Sequence, residues 1–305
     1  MKVLMISGDR HLLEPRTEAY RRLELQRAQV EQLDVFVWPH VHSAREIFKA
    51  ARIGLYDVIT SQDPFWRGFI AWRIARKTGA KFNLQIHTDL SVQPFWRRLL
   101  ACFLLRRADS VRVVSERIRK QVQAVGVKIP IHILPIFVNI SRFIGTMPKS
   151  HSQKTILWIG RFEPEKDPHY ATQVLKEVRE QGVDAKLIIL GAGSLEPKLR
   201  EQSKDLPIEF PGWQDPASYL QIADVVLCTS KHESWGASII EALAAGVPVV
   251  APDIGIAREA GAIVVQMSDL GRAVIDVLNS GKRSELKISI PNSDEWAKRW
   301  KETLA

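Results

Sequence analysis

Two carboxylates, Glu233 and Glu241, stand eight positions apart in ADVVLCTSKHESWGASIIEALAAGVPVVAP, the stretch from Ala223 to Pro252. The stretch reads as strand, loop, helix, strand. β-Branched Val225–Cys228 suits a buried parallel strand, and His232–Ser238 a polar loop. Ile239–Ala245 reads as a helix of small residues stopped by Gly246, with Pro248–Ala251 as the next strand. On this reading Glu233 lies in the loop and Glu241 on the first helical turn. Loop and helix start both leave backbone N–H groups available to an anion. An anion cradle with a carboxylate on each side fits a ligand that holds hydroxyls at both ends and phosphate between them. A nucleotide sugar has that shape.

Other residues could complete such a site. Gly160, Arg161 and Lys166 follow an apolar strand in WIGRFEPEKD, where a guanidinium fork and an ammonium could share one diphosphate. The plainer alternative is a set of surface pairs balanced by Glu163, Glu165 and Asp167. Gly191-Ala192-Gly193 follows the strand KLIIL as a tight β-to-α turn. His87 ends the strand KFNLQI and precedes Thr88 and Asp89. Isolated histidines are mostly structural, but a strand end is where open α/β sheets bind ligands.

Together these residues resemble the donor-binding signature of family 4 retaining glycosyltransferases (glycosyl transferases group 1): E-x7-E, an Ala-rich helix, then G-x-P-V-V-A. The resemblance implies that Glu233 contacts the donor sugar, that Glu241 holds the ribose hydroxyls, and that Arg161 and Lys166 hold the diphosphate. It implies that His87 reaches the sugar, and that Gly160, Trp235, Gly236, Ala237 and Ser238 line the donor site. Gly191 and Gly193, with Phe210–Trp213, would lie near the base. Two departures stand out. Most members have Gly after the Lys, where this chain has Asp167-Pro168. The loop Ser7-Gly8-Asp9-Arg10 resembles an acceptor-side loop, but Pro15-Arg16-Thr17 replaces the family's paired glycines.

The implied fold is α/β GT-B, two Rossmann-like doubly wound domains facing across a cleft. The implied reaction moves a sugar from a nucleoside diphosphate sugar to a hydroxyl with retention of configuration, as in cell-envelope polysaccharide or glycolipid synthesis. Front-face attack with the departing phosphate as base would give retention. No D-x-D pair occurs in the chain. Cations and a helix terminus are therefore expected in place of a metal, with no cofactor beyond the nucleotide sugar as co-substrate. Two alternatives are a GT-B nucleotide-sugar epimerase and a non-catalytic sugar-nucleotide-binding or scaffold subunit.

The elements that must position these groups alternate along 305 residues, enough for two domains. Strands are expected at Lys2–Ile6, Val35–Trp38, Asp57–Thr60, Lys81–Ile86, Ser110–Val114 and Ile131–Leu134. Helical stretches near Thr17–Gln32, Ala44–Ile53, Trp66–Lys77, Pro94–Arg107 and Glu116–Val125 lie between them. The polar segment Gly145–Lys154 marks a boundary, giving an acceptor-side domain at 1–147 and a donor domain at 148–305. Six more strands follow, at Thr155–Ile159, Lys186–Leu190, Ile208–Phe210, Val225–Cys228, Val247–Val250 and Ala262–Val265. Ser293–Leu304 reads as a closing helix, capped by Ser293, that could pack back on the first domain.

Composition narrows the partners. Hydrophobic residues make up 46% and charged residues 25%, as in globular proteins. No apolar run approaches the ~20 residues that cross a bilayer. The apolar start after Lys2 is too short for a signal-peptide core, and Cys102 and Cys228 form no disulfide framework, so a cytoplasmic setting is expected. The net charge of +9 divides unevenly, with +13 on residues 1–150 and −4 on residues 151–305. The basic half calls for an anionic partner. Gln93–Arg107, QPFWRRLLACFLLRR, reads either as a core helix with an arginine face or as an interfacial helix on anionic lipid. Nucleic acid is not expected, since no recognised nucleic-acid motif occurs.

Overall fold

The computed structural model describes residues 1–15, 17–39, 41–145 and 153–304. Two compact units divide the chain, Met1–Phe137 with Pro291–Ala305, and Val138–Ile290. The expected boundary at 147/148 and Arg16 of the Pro15-Arg16-Thr17 segment lie outside the described residues.

In the first unit, β1 (Lys2–Ser7), β2 (Gln32–Val37), β3 (Val58–Ser61), β4 (Lys81–Ile86), β5 (Ser110–Val113) and β6 (Ile131–Ile133) form one sheet. Its order is β2-β1-β3-β4-β5-β6, parallel throughout. Parallel pairing needs crossovers, supplied here by α1 (Glu18–Arg27), α2 (Ala44–Ile53), α3 (Trp66–Thr78), α4 (Phe95–Leu105) and α5 (Glu116–Gln123). Helices on both faces explain why Val3–Ile6 is an unbroken apolar run, each residue 0% exposed. Helix α1 is shorter than the expected Thr17–Gln32. Glu31 N–H donates to Met1 O, and Gln32 is already in register with Lys2, so the chain must leave the helix to start β2.

In the second unit, β7 (Lys154–Ile159), β8 (Ala185–Leu190), β9 (Ile208–Gly212), β10 (Val225–Leu227), β11 (Val249–Ala251) and β12 (Ile263–Val264) are ordered β12-β11-β10-β7-β8-β9, again parallel. Its helices are α6 (Pro168–Glu180), α7 (Glu196–Gln202), α8 (Pro216–Leu220), α9 (Ala237–Ala244), α10 (Ala257–Ala260) and α11 (Leu270–Ser280). Helices α6 and α11 bury Leu175, Val178, Val274 and Leu278 against Ile156, Trp158, Leu187 and Ile189. The last helix, α12 (Ser293–Glu302), belongs to the first unit. Its cap is Asn292 rather than Ser293, because the Asn292 side chain accepts from Glu295 N–H at 2.9 Å. Trp296 and Trp300 are 1% and 0% exposed, and the Trp296 indole donates to Pro135 O at 2.8 Å.

Each strand order reverses once, at β1/β3 in the first sheet and at β7/β10 in the second. At such a switch point, crossovers depart to opposite faces and leave a crevice beyond the carboxyl ends of the strands. The candidate chemistry collects at both.

Candidate active site

The loops after β7, β8 and β10 meet at the second switch point. The Trp158 indole on β7 donates to Thr229 Oγ1 at 2.8 Å. That hydroxyl in turn lies 2.9 Å from Lys166 O and 2.8 Å from Asp167 O, donating its one proton between them. Lys231 N–H donates to Glu165 O at 2.8 Å. The β7 loop is therefore fastened to the β10 loop by backbone and buried hydroxyl contacts. This fastening brings Lys166 Nζ onto the Glu233 carboxylate, with side-chain exposures of only 19% and 15%. Ser230 Oγ donates to the same Glu233 oxygen at 3.0 Å.

Arg161 sits at the rim, 62% exposed, and pairs with Glu165 at 2.8 Å. An exposed pair of this kind is worth about 0–1 kcal/mol, so the guanidinium can exchange Glu165 for a diphosphate at little cost. Glu163 turns the other way and accepts from Ser194 Oγ at 2.9 Å. Asp167, where a glycine is the family's habit, keeps the glycine-like shape. Its φ of 48° is the one positive value outside glycine among the described residues. Asp tolerates this region better than most side chains, and its carboxylate pairs with Lys231 at 3.0 Å.

The glycines of the β8 turn have a steric reason. Gly191 has φ 141°, and a Cβ there would collide with Gly160 O. A Cβ on Gly193 would lie 2.7 Å from both Phe162 N and Phe162 O. The turn runs directly against the β7 loop, where Phe162 N–H donates to Ala192 O at 2.9 Å. Helix α9 starts two residues before the expected Ile239. Gly236 at φ 102° turns the loop sharply enough for Ala237 to open the helix, so Glu241 falls on the second turn and not the first. No side chain caps α9, which leaves its first turn oriented for an anion. Trp235 is 7% exposed, and its carbonyl accepts from Ile256 N–H at 3.1 Å. Phe210 carries the Arg200 guanidinium 4.6 Å from its ring centroid, while Trp213 is 69% exposed.

One unit thus brings together Gly160, Arg161, Lys166, Gly191, Gly193, Glu233, Gly236, Ala237, Ser238 and Glu241. His87 lies in the other, in the wall of a cavity of about 280 Å³ at the β1/β3 switch point. Enclosure, reinforced by Arg112 and Arg22, pushes the His87 pKa well below its ordinary value. The imidazole is therefore neutral at neutral pH, suited to hydrogen-bond a hydroxyl rather than to act as a cation. Thr229 and Ser230, which orient Lys166 and Glu233, escape a motif reading. Their place at the end of β10 is the signal that could have found them. No cluster of three or more His, Cys, Asp or Glu side chains placed to hold a metal occurs among the described residues.

Residues 142–284 match the family Glycosyl transferases group 1, and residues 3–142 match Glycosyltransferase Family 4. The apo lipopolysaccharide outer core galactosyltransferase WaaB superposes with a TM-score of 0.72 at 17% identity, over 99% of both chains. Anabaena HepE, solved with UDP and glucose, superposes at 0.70 and 16% identity, over 98% of this chain and 92% of its own. The fold is therefore α/β GT-B, with two Rossmann-like domains. With the two family matches together spanning residues 3–142 and 142–284, the chain belongs to the family 4 glycosyltransferases.

Among curated relatives, the GDP-mannose-dependent alpha-(1-6)-phosphatidylinositol dimannoside mannosyltransferase of Mycobacterium tuberculosis is 35% identical over 103 residues. That match covers 32% of this chain and 27% of the relative. The alpha-monoglucosyldiacylglycerol synthase of Streptococcus pneumoniae is 25% identical over 247 residues, 71% of this chain and 55% of its own length. The matched part thus spans about a quarter to a half of these relatives.

Proposed function

We propose that the protein transfers a hexose from a nucleoside diphosphate sugar to a hydroxyl, with retention of configuration and without a metal. The observation that carries this reading is the Lys166–Glu233 pair fastened beside Arg161 and the uncapped start of α9. A diphosphate entering there takes over Lys166 and Arg161, and releases the Glu233 carboxylate to the sugar hydroxyls. Glu241 holds the ribose, and neutral His87 serves as a hydrogen-bonding partner for a sugar hydroxyl. The leaving group is an anion, so the main task is to stabilise its developing charge. Two cations and the amides of Gly236–Ser238 do this electrostatically. The departing phosphate oxygen takes the acceptor proton, so no side-chain base or nucleophile is required. No further cofactor enters the scheme.

A thermal-shift panel of UDP, GDP, ADP and TDP tests the donor class. One diphosphate should raise the melting temperature well above the others, since a ligand at 100 times its Kd stabilises by about 2.7 kcal/mol. No shift with any of the four would remove the donor assignment.

We further propose that the acceptor is carbohydrate or lipid-linked, in glycolipid or cell-envelope polysaccharide synthesis, and that the protein works on the cytoplasmic face of an anionic membrane. No described helix is long and apolar enough to cross a membrane. The support for surface binding is on α4, where Phe95, Trp96 and Leu99 are 74%, 53% and 55% exposed. That exposure favours the interfacial over the core reading of Gln93–Arg107. An aromatic run, Trp66–Phe69–Trp72–Phe103, joins α3 to α4 behind it.

Vesicle binding should need anionic lipid and fall with salt, because the Debye length is ~10 Å at 0.1 M. Changing Arg97, Arg98, Arg106 and Arg107 to Gln should remove most of it, each being worth about 1 kcal/mol near the surface. Trp96→Ala should weaken binding without lowering the melting temperature. Equal binding to neutral and anionic vesicles would contradict the electrostatic part, and a large stability loss in Trp96→Ala would contradict the exposed one.

A further inference from the structure

The cavity of about 280 Å³ in the first unit holds more positive charge than its own acids neutralise. Helix α1 buries Ala19, Leu23 and Gln26. Arg22 shares that inward face by its i+3 and i+4 spacing, so a guanidinium stands where an apolar residue would be ordinary. Arg22 is half-buried; among the described residues its guanidinium makes no hydrogen bond and no ion pair, and burial lowers its pKa against the opposing pull of Asp9 and Glu18. Gln26, one turn on, is 2% exposed, and its amide also makes no hydrogen bond among them. Both line the cavity.

Behind them, Arg112 on β5 is 2% exposed and has only neutral acceptors: Leu134 O at 3.0 Å, Gln85 Oε1 at 2.7 Å and Pro135 O at 2.8 Å. Burial, reinforced by Arg22, pushes its pKa down to about 9. A buried ladder fixes it in place, with Gln85 donating to Thr60 Oγ1 at 2.9 Å and Thr60 to Asn83 Oδ1 at 2.7 Å. Two acids share the cavity wall, and Asp9, like Glu18 nearby, favours the Arg22 charge across space without an ion pair. Asp63 is bound by Arg67 at 2.6 Å, and Asp9 accepts from His11 N–H at 3.0 Å. Buried charges are normally paired, because an uncompensated one is costly. Here three arginines, Arg22, Arg67 and Arg112, share the space with two carboxylates, and Arg67 takes Asp63, which leaves Arg22 and Arg112 without a directly paired anion.

We propose that this cavity is an oxyanion site, in which Arg22 and Gln26 hold the phosphate or carboxylate of the hydroxyl-bearing acceptor. Assigning the anion to the acceptor rests on the glycosyl-transfer reading. The donor diphosphate has its own cations in the second unit, so the first unit's surplus charge serves a different anion. The volume admits a headgroup or a small hydroxy acid, and its source is either a lipid headgroup or a soluble phosphate or carboxylate. Arg112 acts behind the contact as a fixed field rather than as a ligand.

Calorimetry on the full chain with inorganic phosphate tests this. Arg22→Gln and Arg22→Met should each bind phosphate about ten- to a hundred-fold more weakly than wild type. Arg161→Ala/Lys166→Ala should bind it as wild type does while losing nucleoside diphosphate. In phosphate-free buffer the Arg22 variants should melt no lower than wild type, since they remove a charge that no ion pair holds. Arg22→Met keeps the aliphatic packing should Arg22→Gln fold poorly.

Phosphate binding that is absent from wild type, indifferent to Arg22, or lost with Arg161 and Lys166 overturns the site while leaving donor binding intact. Phosphate binding through Arg22 with no nucleoside diphosphate binding overturns the acceptor assignment and the transfer reading together. Competition by glycerol 3-phosphate or by phosphatidylglycerol vesicles distinguishes a soluble source from a lipid headgroup, and competition by neither overturns the proposal.

Discussion

Glu233→Ala is expected to lower kcat/KM by about 10²-fold or more, the scale seen when one preorganised electrostatic contact is removed. The carboxylate is placed for this by Ser230, whose hydroxyl donates at 3.0 Å, and by the Lys166 ammonium. Neither contact depends on a long flexible loop, because Thr229 ties the Lys166 backbone to β10. The variant should still bind nucleoside diphosphate, and bind it no worse than wild type, since Lys166 is released from its carboxylate partner. Donor-turnover kinetics beside calorimetry would show this split. Activity within a few-fold of wild type would remove Glu233 from the sugar contact.

The second large effect separates the two cations. Arg161→Ala and Lys166→Ala should each weaken nucleoside diphosphate about ten- to a hundred-fold and leave free nucleoside nearly unchanged, because the lost partner is phosphate. Their stabilities should differ. Arg161 is 62% exposed and its pair with Glu165 adds little. Lys166 and Glu233 are mostly buried, so Lys166→Ala strands a carboxylate. A fully buried broken pair costs about 3–5 kcal/mol, and this one, partly open to solvent, should cost less. Lys166→Ala should therefore lower the melting temperature, Arg161→Ala should not, and adding Glu233→Ala to Lys166→Ala should recover part of the loss. Equal losses for nucleoside and diphosphate would make both cations structural pairs.

The strand-end rule is why the candidate residues of the second unit could be read as one group. Each β/α alternation announces a parallel sheet, and loops at the carboxyl ends of β7, β8 and β10 carry the residues that the sequence singles out. What stayed hidden depends on three-dimensional closure. Helix α9 begins at Ala237 because Gly236 adopts φ 102°, a backbone choice that the polar look of Ala237-Ser238 does not reveal. Asp167 takes a glycine's conformation without being one, so its identity alone suggested a changed loop. In the first unit, Arg22 and Gln26 look like ordinary polar positions of a charged helix. Only the packing of α1 turns them inward. Arg112, inside the apolar strand SVRVV, is the signal that could have pointed there, since an arginine at a buried strand position must be paired, neutralised or functional.

The most direct test of the central claim follows the sugar itself. Membranes or an extracted acceptor would be incubated with the donor whose diphosphate gives the largest thermal shift. Released nucleoside diphosphate and the anomeric proton of the product would then be measured together by NMR. One diphosphate should appear for each new glycosidic bond, with the donor's anomeric configuration kept and both signals lost in Glu233→Ala. Tight donor binding with no diphosphate released would instead make the chain a sugar-nucleotide-binding subunit. An inverted anomeric signal would contradict front-face transfer.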